Sequence, residues 1–576
     1  MDGGSFVASA LKAHGVSFLF TLCGGHISPI LVGCKKLGIQ VVDVRHEVHA
    51  VFAADAVSRM TGIPGVAAVT AGPGVSNTIT AVKNAQLAQS PLILLGGASA
   101  TVLRGRGSLQ DIDQLSLIAP HVKWAASVKY VRDIVPVLEH AFKVAQEGIP
   151  GPVFVELPID LLYPESVIRE WYGIKGNEQA GGNLTGKVIN WYLQLHTRRM
   201  FAGVDSVEEP GTLPFHKPHA INMMVDTAIQ YVKKSKKPVM VIGSQALIDS
   251  RNVHELVTAV KALGIPVFLS GMARGLLGAA DPIQFRHNRK QALKQADLII
   301  LAGVPCDFRL DYGNHLNRKA TLISINRNPQ ELKKNRRPTL AVLGDSMQFL
   351  KELAHGVQAE PDAAWIALLK ANEQKREDEI AQQARAVTEK VNPLVLFKKL
   401  DQMLADDSVI IADGGDFVGT AAYILRPRKP LSWLDPGVFG TLGVGGGFVA
   451  GASLCRPKAQ IWLILGDGSA GYSLSEFDTF VRHGMSPIAI VGNDACWSQI
   501  ARDQTEILND DVGTVLRHTD YHVVAQGFGA EGLLLDDPEK IDSILSQAVD
   551  LSRQGKPVLI NAVIARSDFR KGSISV

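Results

Sequence analysis

Short runs of apolar, largely β-branched residues recur along the whole chain and alternate with segments of helical periodicity. Each run is apolar at consecutive positions, so both faces of the corresponding strand would be buried. Strands of this kind belong in parallel sheets that carry helices on both faces. The pattern predicts repeated α/β doubly wound architecture, and its clearest runs are 65–70, 91–95, 152–156, 238–242, 296–301, 408–412, 460–465 and 487–491.

Two stretches interrupt this rhythm and divide the chain. Residues 166–217 are rich in glycine, asparagine, proline and charges around one amphipathic patch at 188–193, and residues 356–391 contain a charged helical segment typical of a linker. A chain of 576 residues has room for about three domains. We therefore predict three doubly wound parallel-sheet domains at 1–165, 218–355 and 392–566, with a tail at 567–576.

Composition narrows the range of partners and compartments. The chain carries 59 basic and 56 acidic residues, and this near-balance gives no support for nucleic-acid binding. Its five cysteines are scattered without Cys-x-x-Cys spacing, which argues against a disulfide framework or zinc site and favours a reducing compartment. The sequence predicts no transmembrane helix, and its first residues lack the features of a signal peptide, so the expected location is cytoplasmic.

The most informative segment is Gly466-Asp467-Gly468-Ser469, which follows an apolar run, while Asn493 follows the next run. Ligands of open α/β sheets bind beyond the carboxyl ends of strands, where glycines let the backbone approach a phosphate. The separation of 26 residues (493 − 467) fits one helix and one strand. Asp467 and Asn493, together with diphosphate oxygens, would fit the oxygen shell that magnesium prefers. Alone, Gly-Asp-Gly would predict only a turn after a strand.

A second candidate is Glu47, which ends a strand-like run and begins a helical segment at 48–57. The role of such a carboxylate could be limited to a favourable interaction with the positive end of the helix dipole. The carboxylate could instead give or take a proton in a dry pocket, where burial would raise its pKa. His26, on a glycine-rich loop after a strand, could line a substrate site or simply pack, whereas His46 and His49 are expected to pack or lie at the surface.

Taken together, these segments resemble the acetolactate synthase superfamily of thiamine-diphosphate enzymes, over essentially the whole chain. The 466–468 segment with Asn493 resembles its diphosphate and metal motif, and the 45–47 segment resembles its Arg-His-Glu segment. The resemblance implies that Glu47 activates the cofactor by bonding to N1′ of the aminopyrimidine. It also implies that Mg²⁺ is held by Asp467, Asn493 and the carbonyl group of Ala495.

Further segments resemble loops that surround the cofactor in that superfamily. Segment 71–77 resembles the Gly-Pro-Gly loop, and segment 435–445 places Leu442 where relatives have a methionine that bends the cofactor. Gln110 is implied as a polar contact to substrate or cofactor. Together with Glu47 and His26, it makes up the set of predicted catalytic residues. The cofactor contacts implied by the resemblance are Glu47, Gly72, Gly74, Asn77, Asp413, Gly440, Leu442, Gly466, Asp467, Gly468, Ser469 and Asn493.

Within the superfamily, the chain is most similar to the 2-hydroxyacyl-CoA lyases, on segments such as 24–28, 271–277, 306–309, 414–421 and 519–522. The resemblance implies cleavage of a 2-hydroxyacyl-CoA to formyl-CoA and an aldehyde one carbon shorter, as in the α-oxidation of 2-hydroxy fatty acids. Two alternatives stay open. The chain could condense 2-oxoacids as an acetolactate synthase, or be a catalytically silent relative that serves as a binding subunit.

The resemblance also implies partners. Relatives hold FAD or an ADP moiety, as part of coenzyme A, in the central domain. Arg274 and Arg309 there are either phosphate contacts or ordinary solvated surface arginines, and no complete Gly-x-Gly-x-x-Gly motif follows a strand in this domain. Each cofactor lies between two chains in the superfamily, which implies a homodimer or homotetramer. The substrate would be an acyl-CoA or a 2-oxoacid. The similar lyases are anchored in the endoplasmic reticulum membrane, and this chain starts at the first domain.

Overall fold

The computed structural model describes residues 2–174, 184–218 and 222–572. Within these residues the strands form three six-stranded sheets, in which every pairing is parallel. Helices flank the sheets, and the prediction of three doubly wound parallel-sheet domains as the fold class is confirmed. Part of the predicted insert, 175–183, and the end of the predicted tail, 573–576, lie outside the described residues.

The chain divides into two compact units, one of residues 1–58 and 63–216 and one of residues 59–62 and 217–576. The first unit contains one sheet and the second contains two. No helix in the described part of the chain is both long enough and apolar enough to cross a membrane.

The sheet of the first unit is built from wholly buried strands at its centre, as apolar runs on both faces require. Its strands in spatial order are β2-β1-β3-β4-β6-β5. The chain order reverses between β1 and β3, so the carboxyl ends of these two strands form a topological switch point. The strands are β1 (Phe18–Thr21), β2 (Gln40–Asp43), β3 (Gly65–Val69), β4 (Leu92–Ala98), β5 (Trp124–Ser127) and β6 (Pro152–Pro158).

Helices cover both faces of this sheet, and the longer ones are Gly3–Ala13, Ser28–Lys36, Glu47–Thr61, Ile79–Ala88 and Ile134–Gln146. The amphipathic patch at 188–193 lies in a further helix, Leu184–Phe201. That helix leaves Trp191 63% exposed, which is unusual for so large an apolar side chain.

The central sheet, in the second unit, has the order β12-β11-β10-β7-β8-β9. The linker predicted at 356–391 is mainly one helix, Ala363–Ala384. Other helices of this region are Asn222–Lys234, Val253–Leu263, Arg289–Gln295 and Ser346–Gly356. The strands are β7 (Pro238–Ile242), β8 (Val267–Leu269), β9 (Gln284–Phe285), β10 (Leu298–Ala302), β11 (Thr321–Asn326) and β12 (Leu340–Leu343).

The third sheet has the order β14-β13-β15-β16-β18-β17, with its switch point between β13 and β15. Its strands are β13 (Val409–Asp413), β14 (Trp433–Leu434), β15 (Ile461–Gly466), β16 (Ile488–Asn493), β17 (Glu531–Leu535) and β18 (Val558–Val563). Helices around it include Pro393–Met403, Asp416–Ile424, Val444–Cys455, Asp467–Ser473, Glu476–Arg482, Ser498–Leu508, Tyr521–Gly527 and Ile541–Arg553.

Candidate active site

The predicted diphosphate residues lie at the switch point of the third sheet. In the register of the sheet, Asp413 pairs with Leu465 and Gly466 pairs with Gly492. Because β13, β15 and β16 are neighbours, the residues at or just after their carboxyl ends lie side by side, as the 26-residue separation of Asp467 and Asn493 predicts (493 − 467).

A cleft of about 720 Å³ opens at these strand ends, within the range typical of ligand pockets. We call it the C-terminal cleft. It brings together most of the predicted cofactor contacts of the second unit, and it adds apolar residues from elsewhere. The residues of its wall that matter below are Phe308, Tyr312, Gly414, Asp416, Thr420, Gly440, Leu442, Gly466, Asp467, Gly468, Ser469, Asp494, Cys496 and Trp497.

Asp467 begins the helix Asp467–Ser473 and is only 4% exposed. Its carboxylate accepts hydrogen bonds from the backbone N–H groups of Gly468 (2.8 Å) and Cys496 (3.2 Å). Burial, followed by the nearby charge of Asp494, raises the pKa of Asp467 to about 6, although the backbone donors oppose the shift. A bound cation would stabilise the ionised form of this buried carboxylate, so Asp467 is a candidate cation ligand.

Asn493 ends β16 fully buried, but its side chain is engaged by other groups. Its Nδ2 donates to the carbonyl oxygen of Thr519 and to Oδ1 of Asn561, each at 3.1 Å. Its Oδ1 lies 3.2 Å from Nδ1 of His518. These contacts hold the side-chain amide of Asn493 against His518, Thr519 and Asn561. Asn493 is not part of the wall of the C-terminal cleft.

Asp494, the next residue, does line the cleft beside Asp467. The hydroxyl group of Ser498 donates to its carboxylate, and burial raises its pKa. The next residue, Ala495, has a left-handed backbone (φ 56°). Its carbonyl oxygen already accepts the N–H group of Leu516 at 2.9 Å. Asp494 is not among the site residues predicted from the sequence, although its position directly after a strand end was a signal.

Asp413 is fully buried and acts on the backbone of the loop that follows Leu442. Its two carboxylate oxygens accept the N–H groups of Gly443 (2.9 Å) and Gly445 (2.8 Å), at the start of the helix Val444–Cys455. Leu442 in turn packs against Gly414, where an added Cβ would lie 2.0 Å from a Leu442 methyl carbon. Asp413 therefore positions the loop that carries Leu442.

The glycine of the motif, Gly468, is required by packing. A Cβ at this position would lie 2.4 Å from the ring of Trp497. Any larger residue would push the indole out of the C-terminal cleft or displace the helix Asp467–Ser473 that carries the metal-ligand candidate.

In the first unit, Glu47 is the first residue of the helix Glu47–Thr61 and is 6% exposed. Nδ2 of Asn77, on the predicted cofactor loop, donates to its Oε2 at 3.1 Å. His46 Nδ1 is 4.0 Å from the same oxygen. The carboxylate is thus held through Oε2, and we call the group of Glu47, Asn77, His26, Thr70, Gln110 and Gly72 the glutamate site.

His26 and Gln110 meet at the switch point between β1 and β3. Nδ1 of His26 lies 3.0 Å from the hydroxyl oxygen of Thr70, which directly follows β3. That hydroxyl group lies 3.5 Å from Oε1 of Gln110. Burial lowers the pKa of His26, so its ring is neutral at pH 7. Thr70 was missed by sequence reasoning because it was counted as part of its strand.

Gly72 adopts a left-handed backbone (φ 62°), and an added Cβ would lie 2.7 Å from the carbonyl oxygen of Gln110. Its N–H group donates to Oε1 of Gln114 at 2.8 Å. Gln114 is buried and donates in turn to Glu156, which pairs with Arg104. Gln114 is not among the site residues predicted from the sequence, yet it anchors the loop that carries Gly74 and Asn77.

The two predicted phosphate contacts of the central region have different partners. Arg309 forms a two-point pair with Asp307, at 3.0 Å and 2.7 Å, so its charge is already balanced. Arg274 lies over the ring of Trp433 at 5.0 Å and donates to the carbonyl oxygen of Ala422 at 2.7 Å.

Comparison with known families gives three matches along the chain. Residues 1–117 match the N-terminal TPP binding domain of thiamine pyrophosphate enzymes, residues 225–353 match their central domain and residues 413–562 match their C-terminal TPP binding domain. The glutamate site lies in the first matched segment and the C-terminal cleft mainly in the third.

Full-length relatives are also similar to the chain. It is 52% identical to 2-hydroxyacyl-CoA lyase 2 of Danio rerio and 50% identical to that of Homo sapiens, over all of this chain and 93% and 92% of the relatives. A probable acetolactate synthase of Mycobacterium bovis is 31% identical, over 98% of this chain and 96% of its own length.

Proposed function

The chain belongs to the thiamine pyrophosphate enzyme family, and we propose that it is a thiamine-diphosphate-dependent 2-hydroxyacyl-CoA lyase. The reaction would divide R–CH(OH)–CO–S–CoA into the aldehyde R–CHO and formyl-CoA, with no other reactant consumed. The observation that carries the proposal is the identity of 50–52% with lyases over the whole chain, against 31% with the acetolactate synthase.

Thiamine diphosphate, when bound, supplies the electron sink for breaking the carbon–carbon bond. Glu47 would hold the proton that is shared with the pyrimidine ring, through its Oε1. Asn77 fixes the rotamer of Glu47 by its bond to Oε2. His26, neutral and held by Thr70, and Gln110 would bind the substrate hydroxyl and carbonyl groups, since both can donate and accept.

The residues of the C-terminal cleft fit a divalent cation with a diphosphate. Two carboxylates, Asp467 and Asp494, line the same wall, and each has its pKa raised by burial. A hard cation such as Mg²⁺ would relieve the repulsion between them. We propose that Asp494 supplies the second side-chain oxygen. Asn493 and the Ala495 carbonyl group remain predictions from the family resemblance, and both already have protein partners.

The direct test is the purified full-length chain with thiamine diphosphate, Mg²⁺ and a 2-hydroxyacyl-CoA. Appearance of formyl-CoA and the shortened aldehyde in equal amounts supports the proposal. Formation of acetolactate from pyruvate, without lyase activity, would instead identify the synthase. Lack of both activities in a protein that binds the cofactor would identify the silent relative. We further propose that the active protein is a homo-oligomer, which mass photometry would test.

The central region is also proposed to hold an adenine nucleotide moiety, as relatives hold FAD or the ADP part of coenzyme A. Mass spectrometry of small molecules released from the purified protein would distinguish a retained flavin from a vacant region.

A further inference from the structure

The stretch 166–217, which interrupts the α/β rhythm of the sequence, contributes two polar side chains to a buried cluster in the first unit. The centre of the cluster is Asp160, which lies in the short helix Ile159–Leu162 directly after β6 and is fully buried. We call the cluster the anchor network, and its four members are Asp160, Thr101, Tyr172 and His196.

Short hydrogen bonds join the four residues. Oδ2 of Asp160 accepts the backbone N–H group of Thr101 at 2.8 Å and its hydroxyl group at 2.5 Å. The hydroxyl group of Tyr172 donates to the same oxygen at 2.6 Å. Nε2 of His196 lies 2.7 Å from Oγ1 of Thr101. Because the single proton of the Thr101 hydroxyl group goes to Asp160, this contact requires a proton on Nε2 of His196.

The buried carboxylate is held by uncharged groups. Burial, followed by the charge of Asp160, raises the pKa of Tyr172, and burial lowers the pKa of His196, so both side chains are neutral at pH 7. Oδ1 of Asp160 has no hydrogen-bond partner in the described structure. A carboxylate that is fully buried and only partly satisfied costs stability, which packing alone would not require.

The anchor network holds the start of the loop 101–113, which carries Gln110, the proposed substrate contact. Packing does little to fix the shape of this loop, since Leu109, beside Gln110, is 83% exposed. Arg104 supplies a second attachment through its ion pair with a buried glutamate. The position of Gln110 therefore depends on how firmly Thr101 is held.

The residues that complete the anchor network come from fixed parts of the stretch 166–217. Tyr172 packs against the hydrophobic core of the first unit, and Met200, near the end of the helix Leu184–Phe201, belongs to that core. The exposed Trp191 lies nearer the middle of the helix. The half of the helix that carries His196 is thus attached to the unit.

We propose that the anchor network positions the loop 101–113, and with it Gln110, so that the stretch 166–217 supports the active site through Tyr172 and His196. This inference rests on the proposed function, in which Gln110 binds the substrate. Asp160, Thr101, Tyr172 and His196 are then positioning residues that act on the substrate only through this loop.

Hydrogen–deuterium exchange of the full-length protein with thiamine diphosphate and Mg²⁺ tests the attachment directly. Thr101→Val keeps the shape of the side chain and removes its hydroxyl group. The hydrogen-bonded amides of Thr101, Gly105 and Asp111 should exchange about ten- to hundredfold faster, as expected for the loss of a hydrogen bond to a charged group. Amides of the helix Ile79–Ala88 should not change. Thr101→Ser should behave as the wild type, and His196→Phe should give about a two- to tenfold effect.

Kinetics separate a positioning role from a general loss of structure. With a 2-hydroxyacyl-CoA, Thr101→Val should lower kcat/KM about ten- to hundredfold, mainly through KM, because a displaced Gln110 binds the substrate poorly. The exchange of the C2 proton of bound thiamine diphosphate, which the proposed role of Glu47 governs, should not change. Asn77 holds Glu47 from a different loop.

Thr185→Val is the matched control, because it makes the same change at an exposed position of the helix Leu184–Phe201. It should leave the loop exchange, kcat/KM and the C2 proton exchange unaltered.

Unchanged loop exchange in both Thr101→Val and Asp160→Asn would overturn the proposal. So would a loss of C2 proton exchange as large as the loss of kcat/KM, because the anchor network would then support the whole unit. Wild-type behaviour of both His196→Phe and Tyr172→Phe would show that the stretch 166–217 takes no part. A protein that lacks lyase activity but shows the expected loop exchange would refute the proposed function and retain the anchor network.

Discussion

The glutamate site and the C-terminal cleft differ in the groups that surround their buried carboxylates. At Glu47 one carboxylate oxygen accepts the neutral amide of Asn77 and lies 4.0 Å from the ring of His46, and no second carboxylate is among the residues of the glutamate site. At Asp467 a second carboxylate, Asp494, lies close enough to raise the pKa of Asp467. The first arrangement suits a group that handles a proton, and the second suits a pair that needs a cation. Similar carboxylates at strand ends thus acquire different chemistry from their neighbours.

The largest effect is expected for Glu47→Gln, which keeps the shape of the side chain but replaces the carboxylate with an amide that cannot share a proton. Lyase activity should fall by about 100- to 10,000-fold, the typical contribution of a general acid–base group. Mg²⁺ affinity should be unchanged. Glu165→Gln, at an exposed i,i+4 pair with Arg169, is the control and should retain activity. Full activity of Glu47→Gln would show that this carboxylate has no catalytic role.

Substitutions of Asn493, the last residue of β16, and of Asp494, which follows it, should distinguish an effect on metal binding from an effect on folding stability. Asp494→Ala should weaken Mn²⁺ or Mg²⁺ binding at least about tenfold, measured by calorimetry in the presence of thiamine diphosphate. Asn493→Ala should instead lower the unfolding free energy by about 1–3 kcal/mol, because buried partners at Thr519 and Asn561 lose their donor. The reverse pattern would return the metal-ligand role to Asn493.

The raised pKa of Asp467 gives the C-terminal cleft a pH dependence of its own. The folded-state pKa of about 6 lies above the ordinary value of 3.8, so folding takes up a proton between these values. For metal-free protein this group makes unfolding free energy fall as pH rises from about 4 to about 6, with the full penalty above 6.

Because the proposed Mg²⁺ site requires the ionised form of Asp467, the affinity for Mg²⁺ should drop as pH falls below about 6, and the gain in Tm on adding Mg²⁺ should be larger at pH 7.5 than at pH 5. Differential scanning fluorimetry across this range measures both trends. Asp494→Asn, which removes the neighbouring charge, should lower the pH at which Mg²⁺ affinity is lost. An unchanged profile would mean that the two carboxylates do not interact.

The smallest effect is expected for the neutral contact at the glutamate site. Asn77→Ala should reduce kcat/KM by about two- to tenfold, equivalent to one ordinary hydrogen bond. Ser76→Ala, at the neighbouring exposed position, should leave it unchanged. A loss as large as that of Glu47→Gln would show that Asn77 takes part in the chemistry rather than in positioning.

Much of this architecture could be predicted from sequence because it follows from local patterns. Apolar runs predict buried parallel strands, and a polar residue after such a run must lie at the carboxyl edge of a sheet, which placed Asp413, Asp467 and Asn493 correctly on the third sheet. Which residue of the pair 493–494 faces the cleft could not be predicted in this way. One step along the chain reverses the direction of a side chain, and the left-handed turn at Ala495 redirects the backbone.

By itself, the sequence determined the α/β class, the family and the positions of Glu47 and Asp467, because strand periodicity and motif spacing are properties of neighbouring residues. Only the tertiary structure decided that Asp494 lines the cleft and that Gln114 anchors the loop of Asn77. These facts depend on groups that are far apart in the chain, and charge balance and hydrogen bonding are settled by distance in space.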